Sequence, residues 1–159
     1  MTDAPAGGHA ILYMLQAFIW FDEGLQRYIR SRGWPEITRP QSMLMANLAL
    51  GVNRPADIAR QLGVTRQMIH ATLNQMEKMG VLALVDSPED RRAKIVVLTP
   101  AGEKMRRDAQ AAMRLMLEEL TRRIGRKAVE RIVDMRIDTW GGSMRFDPPP
   151  KRPARRTPQ

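Results

Sequence analysis

The sequence predicts a mainly α fold with one small β-hairpin, and three observations carry that reading. Two apolar patterns of helical spacing meet across Gly63 in residues 54–80, two β-branched runs bracket a charged turn in 81–98, and long helical patterns fill both ends of the chain.

Taken in order, residues 1–8 form a loose lead containing Gly and Pro. A first helix is expected over 9–30. Its first half is apolar nearly all round, through Ile11, Leu12, Tyr13, Met14, Leu15, Phe18, Ile19, Trp20 and Phe21. A surface helix shows one apolar stripe, so this one needs cover on more than one side. A second subunit is the simplest cover; the chain's own last helices are the alternative. The adjacent acids Asp22 and Glu23 point about 100° apart on such a helix, poor geometry for a paired acid and base and better suited to salt links. Gly33, Trp34 and Pro35 then make a turn. Thr38 and Pro40 start a second helix, from which Met43, Leu44, Leu48 and Leu50 are expected to pack on the next unit.

That unit reads as a helix-turn-helix. Pro55 suits a first helical turn, where its missing N–H costs nothing. Asp57 adds the negative charge that the helix dipole favours there. Ile58 and Leu62 make an apolar stripe, Ala59 lets a second helix cross closely, and Gly63 supplies a left-handed stop. Thr65 is placed to cap the next helix. Ile69, Leu73, Met76 and Met79 should face inward, leaving Arg66, Gln67, His70, Asn74 and Lys78 outward until Gly80 ends the helix. Amide, imidazole and guanidinium groups of this kind bond base edges and phosphates in a major groove. A merely solvated polar face is the plain alternative, and the hairpin that follows weighs against it.

The runs 81–85 and 93–98 flank DSPEDRR and form a hairpin wing. Arg91, Arg92 and Lys94 at its tip are suited to a phosphate backbone or a narrow minor groove. Asp90 is positioned to hold the Arg92 guanidinium in a bidentate pair and aim it. An ordinary charged tip that blunts an edge strand is the plain alternative. Thr99 and Pro100 open another helix as N-cap and first residue.

The stretch 103–125 continues as a long helix, with Met105, Ala109, Ala112, Met113, Met116, Leu117 and Leu120 at near-heptad spacing. A last helix follows to about Trp140, with Val129, Ile132, Val133 and Ile137 inward. From Gly141 the chain is Gly, Pro and basic, and is expected to be disordered. Its five Lys or Arg against one Asp hold nearly half of the net +9 charge, so Lys151, Arg152, Arg155 and Arg156 are candidates for phosphate contact.

Composition narrows the function classes. A length of 159 residues suits one domain with a real core. The positive charge favours a polyanionic partner. With no Cys there is no thiol switch, thiolate metal site or disulfide framework. Ile11 to Phe21 falls well short of the roughly 20 apolar residues that span a bilayer, and residues 1–10 hold no Lys or Arg for a signal peptide. No membrane contact and a cytoplasmic location are expected. Only His9 and His70 exist. Without a phosphate-binding loop, nucleophile elbow or metal-ligand cluster, no enzyme, metal or cofactor is expected.

The motifs GWPEITRPQ, ADIARQLGVTRQ, MEKMG and SPEDRRAKIVVLTPAG, spread over roughly Trp34 to Met105, resemble the MarR family of winged-helix transcriptional regulators. The wing with its Asp90 and Arg92 is the most specific piece. The chain departs from the pattern at Ala71, where members often carry Arg, and at Leu84 and Val85, where they often carry basic residues. The resemblance implies a winged helix-turn-helix lobe over 33–99, dimerisation helices over 1–32 and 100–140, and the basic tail 141–159 beyond them. It implies a homodimer on double-stranded DNA, acting as a repressor, with its recognition helices about 34 Å apart, one turn of the duplex. Arg66, Gln67, His70 and Asn74 would contact bases, Arg92 the minor groove, and Thr65, Arg91 and Lys94 the backbone. It further implies a small aromatic or phenolic effector, with Trp20, Phe21, Met43 and Met45 as candidate lining; packing in the core is their plain alternative. An architectural DNA coat of little sequence choice and a protein-binding adaptor are the competing functions.

Overall fold

The computed structural model describes residues 9–90 and 92–135. Within them the order is α1 (Ala10–Ser31), α2 (Arg39–Ala49), α3 (Pro55–Leu62), α4 (Arg66–Lys78), β1 (Leu82–Asp86), β2 (Lys94–Leu98), α5 (Pro100–Ile124) and α6 (Arg126–Val133). The two strands pair antiparallel, from Leu82 opposite Leu98 to Asp86 opposite Lys94. The result is the mainly helical fold with a small wing that the sequence predicts.

Leu44 of α2, Ile58 of α3, Leu73 and Met76 of α4, and Val81 and Leu82 at the wing are the largest fully buried side chains. Each aliphatic one contributes about 1.5–3 kcal/mol by leaving water. The core therefore sits where α2, α3, α4 and the wing meet, and it fixes α4 as a rigid element. Gly63 takes φ 64° at the end of α3, the left-handed value that lets the chain turn into α4 without strain.

α1 packs along α5, outside this lobe. Two devices tie the layers together. The Trp34 indole donates to Asp108 Oδ2 at 2.8 Å, and Arg32 Nε lies 3.4 Å from Asp108 Oδ1. The indole hydrogen bond, with the Arg32 charge behind it, holds the Asp108 carboxyl below its usual range. At the other end of the layer, Thr99 Oγ1 donates to Gly80 O and accepts from Gly102 N–H, capping α5 against the end of α4. Gly102 there meets the wing backbone so closely that an added Cβ would fall 2.9 Å from the carbonyl carbon of Val81 and inside its oxygen.

The acids of α1 make the expected salt links, Asp22 with Arg39 at 3.0 Å and Glu23 with Arg27 at 3.1 Å. Leu50 is a correction: it lies 74 % exposed beyond the C-terminus of α2 instead of packing on the helix-turn-helix, because the chain turns away at Gly51. In α6 only Val129 is buried; Ile132 and Val133 face outward. Ile137, Trp140 and the basic tail, with Lys151, Arg152, Arg155 and Arg156, lie outside the described residues.

Candidate nucleic-acid interface

α4 is oriented by its inner face. Ile69, Leu73 and Met76 are buried at helical spacing, so the opposite side must face solvent. Thr65 Oγ1 accepts the Met68 N–H at 3.2 Å, the N-cap expected of it. Arg66, His70, Asn74 and Lys78 then form one exposed row at four-residue spacing, and Gln67, Ala71 and Gln75 form the next. Two polar contacts brace the helix from behind and beside. Gln41 Nε2 donates to Gln75 Oε1 at 3.2 Å, and the Leu84 N–H of β1 donates to Glu77 Oε1 at 3.3 Å.

The wing is braced at its base and its tip. Val96 N–H donates to Asn53 O at 2.9 Å, joining β2 to the segment before α3. Lys94 pairs with Asp86 at 2.6 Å, and Arg54 with Glu89 at 3.3 Å. Lys94 therefore stands at the base of the loop with a carboxylate partner, not at the tip. Asp90 also differs from expectation. Its Oδ1 accepts the backbone N–H of Arg92 at 3.0 Å, and no guanidinium pair forms between them. A carboxylate two residues upstream closes a local turn more readily than it reaches the far end of a long side chain. Asp90 thus shapes the loop while the Arg92 side chain stays exposed. Arg91 lies outside the described residues.

A polar helix face presented on a rigid lobe, beside a hairpin with an exposed arginine, is a geometry with counterparts among known proteins. Residues 36–93 match the MarR family model. Over that stretch, just over a third of its length, the chain is similar to the MarR family. The matched stretch spans α2, α3, α4, β1 and the loop to β2, the winged-helix lobe. An HTH-type transcriptional regulator of Bacillus subtilis, YdgG, is 26 % identical over 129 residues, covering 79 % of this chain and 85 % of its own. In fold, the chain is similar to an S. aureus MepR mutant bound to an oligodeoxyribonucleotide, with TM-score 0.55, 17 % identity and coverage of 79 % and 90 %. It is likewise similar to the PcaV regulator of Streptomyces coelicolor in complex with its natural ligand, with TM-score 0.57, 18 % identity and coverage of 84 % and 91 %.

The chain also holds a cleft of about 890 Å³ between α1, α2 and α5. Phe21, Met43 and Met45 line it, together with Phe18 and Met113. Trp20 does not. Its ring packs edge-on against Phe21 at 4.9 Å, with Arg123 lying 5.9 Å over it, on the far side of α1 from the cleft lining. Sequence reasoning missed two residues here. Gln26 Oε1 and Asn47 Oδ1 are buried at the cleft and accept no hydrogen bond from any described group. A buried amide on an otherwise apolar helix face is the signal that could have found them. No helix among the described residues is long and apolar enough to cross a membrane, and no group of three metal-ligating side chains occurs among them.

Proposed function

We propose that the chain is a homodimeric, sequence-specific repressor that inserts α4 into the major groove and reaches the minor groove with Arg92. The observation that carries it is the exposed α4 face. Arg66, Gln67, His70 and Asn74 supply donors and acceptors matched to base edges, on a helix that its buried side cannot release. Thr65, Arg91 and Lys94 would position the phosphate backbone, and Lys94 would exchange its Asp86 pair for a phosphate.

Support for the homodimer comes from the apolar surface that one chain leaves open. Ile11, Leu12, Tyr13, Leu15 and Phe18 of α1, Leu115 of α5 and Val133 of α6 are each between 43 % and 73 % exposed. Large apolar side chains left open in this number fit an interface between copies better than they fit water. The effector reading is supported by the cleft. A phenolic hydroxyl would donate to Asn47 Oδ1 or Gln26 Oε1 while its ring met Phe21 and the methionines. Such a ligand regulates by binding the DNA-free arrangement more tightly than the bound one.

The test is selection from a random duplex library with purified protein at near-physiological salt, with mass in solution measured alongside. A two-fold symmetric motif with half-sites one turn apart, bound by a dimer, is the expected result. DNA with no shared motif would replace the reading with an architectural one, and recovery of none with an adaptor. The selected duplex then reports whether phenols release it.

A further inference from the structure

Met68 stands apart on α4. It is 54 % exposed on the same helix whose inward methionine, Met76, is fully buried, so it contributes little to the core. By helical geometry it borders the central outward row of Gln67, Ala71 and Gln75, and it lies three residues from Ala71 on the neighbouring ridge. The outward face is thus not uniformly polar. A methyl from Ala71 and the thioether of Met68 make an apolar spot, with the Gln67 amide next to it and the cationic row of Arg66 and Lys78 alongside.

We infer that Met68 and Ala71 read thymine methyl groups, and that Gln67 beside them reads adenine, so that each half-site contains adjacent A·T pairs. The inference rests on α4 being the recognition helix, and it names what that helix selects. In the major groove the thymine C5-methyl is the one apolar group that a base edge offers, and an adenine edge offers the N7 acceptor and N6 donor that a glutamine amide pairs with two at a time. Ala71 suits this because its short side chain lets the helix axis approach the bases. Met68 suits it because an unbranched thioether adapts to a methyl without a fixed rotamer. Burial of one methyl accounts for about a fourfold change in affinity.

The experiment uses the full chain and the selected duplex, synthesised once with thymine and once with uracil throughout, which deletes the methyl groups and leaves every hydrogen-bonding edge in place. Wild-type protein should bind the uracil duplex about fourfold more weakly for each methyl it covers. Met68→Gln, at an exposed position and with good helix propensity, should fold as wild type by circular dichroism, bind the thymine duplex more weakly, and lose most of the difference between the two duplexes. Equal wild-type binding to both duplexes overturns the methyl readout, and so does a Met68→Gln protein that discriminates as well as wild type. Recovery of no duplex from the selection overturns the recognition-helix reading itself.

Discussion

Replacing Gly102 by alanine should loosen the joint between the wing and α5, and its size can be worked from the packing. The added Cβ would lie 2.9 Å from the Val81 carbonyl carbon, inside its oxygen, and 3.3 Å from Leu98 Cβ. The first obstacle is backbone, and that backbone is already committed, since Val81 O accepts the Thr99 N–H at 3.2 Å. Relief requires α5 to back away, at the expense of that hydrogen bond or of the Thr99 cap. Overpacking of this kind costs about 1–3 kcal/mol. Alanine returns up to about 1 kcal/mol in helix propensity. With a backbone obstacle the cost falls in the upper part of that range, about 2–3 kcal/mol, so the net loss is about 1–2 kcal/mol, a fall of about 2–8 °C in Tm for a chain of this size.

Gly24 makes the control. A Cβ there also meets an atom too closely, but that atom is the Met116 sulfur, at the end of a flexible side chain. Gly24→Ala should therefore stay within about 0.5 kcal/mol of wild type once its helix-propensity gain is counted. Both variants are to be unfolded thermally and in urea at one protein concentration, since assembly itself adds stability. A Gly102→Ala protein as stable as wild type would refute the reasoning, because it would mean that α5 and the wing are not held at the observed separation.

Two further outcomes follow from the Trp34–Asp108 contact and from the wing. The Asp108 pKa is lowered by the Trp34 hydrogen bond and then by Arg32, so the folded state binds the proton less well than the unfolded one. The stability this contributes is complete above about pH 4, the unfolded value, and disappears as the pH falls through the lowered pKa. Asp108→Asn should be less stable than wild type at neutral pH and should show a flatter acid limb in urea titrations between pH 5 and 2; parallel limbs would remove Asp108 from the account. Arg92→Ala should keep the wild-type circular dichroism spectrum and lose about tenfold in affinity for the selected duplex, or about 1.4 kcal/mol, while the slope of log affinity against log salt falls by about 0.9. Wild-type affinity and slope would exclude Arg92 from the contact.

The lobe was legible because its signals are local. Pro55, Gly63 and Thr65 punctuate two helices within a dozen residues, and each does in the structure what its backbone chemistry dictates. Inward and outward sets on α4 followed from period alone. Contacts that join distant segments were not legible. Trp34 and Asp108 are 74 residues apart in the chain, and neither residue type announces the other. The cleft is the same case, assembled from three helices, so Phe21 and its neighbour Trp20 look equally apolar in sequence while only one lines it. Asp90 failed differently. Its type and spacing suit either a guanidinium pair or a turn, and the shorter loop through the backbone wins.

The joint at Gly102 connects the two readings of this chain. α5 begins against the wing and ends among exposed apolar residues, Leu115 and Ile124. In the proposed dimer, one helix therefore carries the wing at its first turn and the partner contact along its far half. The cleft lies between that helix and α1 and α2, so its volume depends on how α5 sits against the lobe. A ligand that fills the cleft and satisfies Asn47 would set that angle. Because α5 meets Val81 as backbone on backbone, with no side chain to absorb the change, the shift would pass to the wing and, through symmetry, to the spacing of the two α4 helices. Gly102→Ala imposes a displacement at the same joint without a ligand, so it should weaken DNA binding by more than its loss of stability accounts for, while Gly24→Ala should not.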